Sequence, residues 1–326
     1  MNFFKISTYM LCCLLLSCFE HKAQEPIVNI DYRHEMQQFV IELSEATKAD
    51  DPNFIIIPQN GVQLVSKKCN SHKTPALDYL NAIDAVAQED LFYGYPKFNQ
   101  ITPKADNTYL REYLDLAKEY GKQVLVTDYC YNPQLMKNSY QLNEENNYIS
   151  FAASSRGLDR IPVYSVFNEN SKDINVLTEA QNFLYLINYA EYSNKQDLIA
   201  ELSFTNYDLI VMDLFFNNET FTSEEIKQLK KKKNGGDRLV IAYMSIGEAE
   251  NYRFYWKDKW SSNYPNWLVE ENPYWEGNFK VEYWNEDWKK IIYGSENAYL
   301  TKITNADFDG VYLDIIDGYQ YFEAKE

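Results

Sequence analysis

Two apolar runs in this chain each empty into closely spaced carboxylates. The run 239–244 gives way to Ser245-Ile-Gly-Glu248-Ala-Glu250-Asn-Tyr-Arg253, and the run 310–313 gives way to Asp314-Ile-Ile-Asp317. Paired carboxyl groups suit reactions in which one delivers a proton while the other attacks, or steadies a developing positive charge. A third run, 82–87, ends near Glu89 and Asp90, and a fourth, 123–127, ends at Asp128 and Tyr129. Other chemistries lack their residues. Gly61, Gly247 and Gly310 each stand alone, so no phosphate loop, dinucleotide fingerprint or nucleophile elbow is present. The histidines are His21, His34 and His72, which form no zinc-ligand spacing. Neither a metal nor a cofactor is expected.

Carboxylates scattered over such a length need a scaffold that gathers strand ends. Apolar, β-branched or aromatic runs of strand length occur at 54–58, 82–87, 123–127, 183–187, 209–212, 239–244, 280–283 and 310–313. Helical periodicity fills most gaps, beginning with Met36, Phe39, Val40 and Leu43 in a helix over 34–47. Gly121 is placed to cap the helix 109–120. Strands alternating with helices imply a parallel sheet, and eight of them favour a single (β/α)8 TIM barrel of the α/β class over residues 31–326. In that fold the carboxyl ends of the strands face the mouth where chemistry is done. Nearly every run ends in a polar or aromatic residue, whereas an open doubly wound sheet would concentrate them at one switch point. The short run 149–153 reads as a ninth, accessory strand.

Composition narrows the partners. A net charge of -17 argues against nucleic acid and suits a cationic ligand. The 28 tyrosines, 18 phenylalanines and 6 tryptophans could supply planes on which sugar rings stack, although many must be core. Lys230 to Lys233 reads as a solvated helix end. At the amino end, Lys5, an apolar run and Leu15-Leu16-Ser17-Cys18 resemble a bacterial lipoprotein signal. Residues 1–17 are then a signal peptide, Cys18 the lipidation site and 18–30 a polar tether. The protein is expected to be exported and lipid-anchored to a bacterial membrane. Of the 5 cysteines, Cys69 and Cys130 remain, too few for a disulfide scaffold.

Longer motifs carry a resemblance. Ala242-Tyr-Met-Ser-Ile-Gly-Glu-Ala-Glu-Asn-Tyr-Arg253, Phe308-Asp-Gly-Val-Tyr-Leu-Asp-Ile-Ile-Asp-Gly-Tyr319, Phe54-Ile-Ile-Ile-Pro-Gln-Asn-Gly61 and Ile83-Asp-Ala-Val-Ala-Gln-Glu-Asp90 resemble glycoside hydrolase family 114, the endo-α-1,4-polygalactosaminidase-like barrels. In that family the Asn-Gly and Glu-Asp segments follow the Asp-Ile-Ile-Asp segment, so the order here implies a circularly permuted barrel. The resemblance implies Asp314 and Glu89 as catalytic residues; of the two, Asp314 is assigned here as nucleophile or charge stabiliser and Glu89 as acid/base. Asp213, Glu248, Glu250 and Arg253 would orient the sugar or hold a substrate ammonium, with Arg253 equally able to pair Glu250 structurally. Asn60, Asp128, Tyr129, Tyr189, Tyr243 and Trp284 would line the cleft. The implied partner is a polysaccharide, a cationic amino-sugar polymer. The alternative is a non-catalytic glycan-binding surface lipoprotein on the same fold.

Overall fold

The computed structural model describes residues 30–68 and 74–326. The signal segment, Cys18, almost all of the tether and Cys69 lie outside the described residues. Strands with both faces covered read as unbroken apolar runs, because water reaches neither side. Accordingly β1 (Ile55–Pro58), β2 (Ala85–Glu89), β3 (Gln123–Tyr129), β4 (Ile149–Ala153), β5 (Phe183–Leu186), β6 (Leu209–Asp213), β7 (Leu239–Ser245) and β8 (Gly310–Asp314) are buried almost throughout. All pair in parallel. One sheet has five strands in the order β1-β8-β7-β6-β5, the other has three in the order β2-β3-β4.

The two sheets meet along two seams. At the first, Gln59 bridges Ala87 in parallel, and the amides of Asn60 and Asp84 donate to the carbonyls of Ala87 (2.8 Å) and Ile56 (2.9 Å). At the second, β4 and β5 run alongside each other with the rings of Phe151 and Phe183 5.9 Å apart. The first and last strands are neighbours, Ile55 opposite Gly310 and Pro58 opposite Leu313. Any ring of strands would place its first and last members together whatever the order of its motifs, so this adjacency does not bear on permutation.

Helices cover the outside and are started by local chemistry. Asp31 caps α1 (Tyr32–Lys48) by accepting from the His34 amide at 3.0 Å. The helices α2 (Leu77–Ala82) and α3 (Lys104–Glu119) follow β1 and β2, and Gly121 after α3 takes a left-handed φ of 77°. Asn132 caps α4 (Pro133–Glu145), which carries proline in its first turn. Asn194 caps α5 (Lys195–Ser203), and a Thr222/Glu225 capping box opens α6 (Ser223–Leu229). Then come α7 (Glu286–Ile292), α8 (Tyr299–Asn305) and α9 (Tyr319–Glu323). α1 joins both ends of the chain. Its Ser44 hydroxyl donates to the Ala82 carbonyl at 2.6 Å, while its Glu42 accepts from Lys289 Nζ and Tyr293 Oη, each at 2.7 Å. No described helix is long and apolar enough to cross a membrane.

Four expectations need correction. Run 280–283 is not one of the parallel strands; Asn278–Val281 pairs antiparallel with Glu248–Glu250 and Leu268–Glu271 in a separate three-stranded sheet. Its burial alternates, as in a strand with one covered face, whereas Ile149–Ala153 is buried at every residue and is a full member of the parallel set, not an accessory. Ala82 closes a helix, so the second strand begins at Ala85. The basic run is not simply solvated. Lys232 is fully buried against Asp208 at 2.9 Å, and Lys230 pairs Asp309 at 2.9 Å. One crossover departs from the repeating pattern: between β4 and β5 the only helix is the single 3-10 turn Leu177–Glu179.

Candidate active site

The carboxyl ends of the parallel strands open into a cleft of about 660 Å³. Three strands leave it through left-handed backbone: Asn60 follows β1 with φ 60°, Asp90 follows β2 with φ 56° and Ile315 follows β8 with φ 59°. Such values are uncommon outside glycine and are outliers for a β-branched isoleucine. They turn the chain sharply just after Glu89 and Asp314, the last ladder residues of β2 and β8, whose side chains line the opening. At Ile315 the turn also aims its own amide at Asp314 Oδ1, 2.8 Å away. Gly247 makes this possible, because a Cβ there would lie 2.0 Å from the Ile315 carbonyl oxygen.

Asp314 and Glu89 share a distinctive environment. Tyr243 Oη donates to Asp314 Oδ2 at 2.7 Å. Tyr129 Oη donates to Glu89 Oε1, and Asn60 Nδ2 donates to Glu89 Oε2 at 3.0 Å. Neither carboxyl has an ion pair among the described residues. Burial, then the charge of Glu89, push the Asp314 carboxyl up to about 8, against the opposing donors Tyr243 and the Ile315 amide. Asp314 therefore holds a proton at neutral pH. Asp317, also on the cleft wall, is pushed up to about 6 by burial, with Lys280 opposing and Glu89 adding to the rise.

The remaining deep carboxylates are neutralised. Arg253 spans Asp213 and Glu250, with Nη2 2.7 Å from Asp213 Oδ2 and Nε 2.5 Å from Glu250 Oε2. Burial works against that charge, but the two carboxylates outweigh it and hold Arg253 well above the ordinary arginine range. Glu248 is fully buried and accepts from Lys280 Nζ and from Asn272 Nδ2, the latter at 2.8 Å. Both readings of Arg253 thus meet in one place: it pairs Glu250 structurally and still lines the cleft.

Asn60, Tyr129, Tyr189 and Tyr243 line the cleft as the sequence suggested. Asp128 and Trp284 do not. Successive strand residues point to opposite faces, so Asp128 and Tyr129 cannot both face the mouth. Asp128 is buried outside, accepting from the amides of Phe92 (2.8 Å) and Tyr93 (3.1 Å) and from Ser139 Oγ (2.6 Å). Trp284 packs against Tyr32, Tyr283 and Phe322 at ring separations of 5.2, 4.9 and 4.8 Å, tying the start of α1 to α9. Sequence reasoning missed Tyr185, which projects from within β5 and donates to Gln59 Oε1 at 2.9 Å. It missed Trp275, a rim residue 63% exposed, and Arg156 on the loop after β4. Arg156 lies in a stretch without periodicity, so no pattern could have singled it out. Asp317 had a signal in the sequence, the last carboxylate of Asp314-Ile-Ile-Asp317.

The family model described as glycoside-hydrolase family GH114 matches residues 165–325. That segment belongs to family GH114. The GH114 segment contains Asp213, Glu248, Glu250, Arg253 and Asp314, while Glu89, Asn60 and Tyr129 lie before it. The chain is 40% identical over 179 residues to an uncharacterized protein of Methanocaldococcus jannaschii, covering 54% of this chain and 49% of that protein. It is 36% identical over 125 residues to one of Thermotoga maritima, covering 37% of that protein, and 39% identical over 120 residues to one of Deinococcus radiodurans, covering 36%. The matches therefore span half or less of the length of these relatives.

Proposed function

We propose that the protein is an endo-acting glycoside hydrolase that cleaves α-1,4-linked galactosamine-containing polysaccharide, with Asp314 and Glu89 as the working carboxyl pair. The observation that carries this reading is their joint presentation to one cleft without a cationic partner, alongside three neighbouring carboxylates that are each tied to one. Glycosidic cleavage needs one carboxyl that keeps a proton and one that can attack or activate water. Asp314, held protonated to about 8, suits the acid, and Glu89 the opposite role. This reverses the direction assigned from the sequence. Asp317 and the acidic rim favour a cationic polymer, a preference that salt would weaken.

The two parallel sheets are proposed to close into one (β/α)8 barrel of permuted order, with α1 filling the layer beside the C-terminal helices that a helix following the last strand would take. Export and lipid anchoring at Cys18 belong to the same proposal, and Cys18→Ala should release the protein from membranes.

The test is incubation of the purified protein with galactosaminan, chitosan and neutral galactans, followed by mass analysis of the products. Internal cleavage of galactosaminan is expected. Tight binding with no new reducing ends would instead make the protein a glycan-binding lipoprotein.

A further inference from the structure

We infer that Arg156 is a positioning residue for Glu89, acting through the ring of Tyr129; the inference rests on the hydrolase reading above. Arg156 sits just beyond β4, on the one crossover without an α-helix. Its guanidinium carbon lies 4.4 Å from the centroid of the Tyr129 ring, whose hydroxyl donates to Glu89. From the same group, Nη2 donates to Asp90 Oδ1 at 2.7 Å and to the Gly94 carbonyl at 2.6 Å. No other cation among the described residues touches both the loop after β2 and the ring that holds Glu89.

Each contact bears on Glu89. A cation over the face of a phenol draws on its π density and makes the hydroxyl a stronger donor. Pairing with Asp90 offsets the like charge of the residue next to Glu89. The bond to Gly94 fixes the loop that carries Asp90 in its left-handed turn, and this approach requires glycine: φ is 130°, and a Cβ would stand 1.7 Å from Asp90 Oδ1. Only a flat guanidinium can stack with its face while donating from its edge, so lysine cannot replace it. Arg156 makes no bond to Glu89 or Asp314 itself. Its side chain is nevertheless 44% exposed towards the cleft, so contact with substrate is the rival explanation.

A double-mutant cycle separates them. The kcat and KM for galactosaminan cleavage are measured for the parent, Arg156→Ala, Tyr129→Phe and the double variant, with circular dichroism and Tm as folding checks. Arg156→Ala should lower kcat about ten-fold while KM stays within about two-fold, and should cost clearly less once Tyr129 is phenylalanine, the remainder being what its bonds to Asp90 and Gly94 contribute. Arg156→Gln, which keeps a planar donor without the charge, should fall with Arg156→Ala, and Arg156→Lys should recover part of the rate at most. Losses that add in full, a raised KM at unchanged kcat, or no loss at all would each overturn the inference while leaving the hydrolase reading standing. A parent that cleaves no glycan would overturn both.

Discussion

The mouth of this molecule holds two kinds of carboxylate. Asp213, Glu250 and Glu248 have their charge answered by Arg253 and Lys280 in buried ion pairs. Asp314 and Glu89 are answered only by neutral donors, tyrosine hydroxyls, an amide side chain and a backbone amide. A neutral donor orients a carboxyl without fixing its charge. The first kind is thus locked into ion pairs and the second is not, although all five groups lie within one cleft.

Substitution should break this contrast most visibly at the unpaired groups. Asp314→Asn and Glu89→Gln keep shape and remove only the ionisable group, and each should lower kcat on galactosaminan by about 10²–10⁴-fold with an unchanged circular dichroism spectrum. At the paired groups the loss should appear in folding. Arg253→Met strands two buried carboxylates, and urea titration should show a loss of about 3–5 kcal/mol. The third outcome depends on pH. An ordinary aspartate releases its proton near 3.9, but folded Asp314 keeps it to about 8. Its contribution to stability is therefore complete below about pH 4 and declines as pH rises to about 8. Asp314→Asn should match the parent in Tm near pH 4 and exceed it at pH 9 by at least about 2–4 °C, the shift that 1 kcal/mol gives a domain of roughly this size. The smallest effect sharpens the boundary of the site: Trp284→Ala should leave kcat/KM within about two-fold while lowering Tm, since its ring joins α1 to α9 away from the cleft.

Much of the scaffold was legible because parallel strands advertise themselves by continuous burial. Apolar content alone does not separate 280–283 from 149–153, whereas burial does; Phe279 and Val281 are covered while Asn278 and Lys280 are only partly so, and Ile149–Ala153 is covered throughout. Strand-end carboxylates were legible for the same reason that β8 was, an apolar run that stops at an acid. Their partners were not. Whether Asp128 or Tyr129 faces the mouth depends on strand phase, which the run itself leaves open. Arg156 reaches Tyr129 across a loop, and such a contact exists only after the fold has formed.

Asp314 owes its place to backbone as much as to its own side chain. The left-handed Ile315, of a kind that costs about 1–3 kcal/mol, and the close passage of Gly247 beneath its carbonyl form one inseparable arrangement. Copying the aspartate alone onto another barrel would carry over a carboxyl without the amide that holds it or the turn that presents it. For anyone transplanting this chemistry, the smallest transferable module is the pair of strand ends 245–248 and 313–317, moved together.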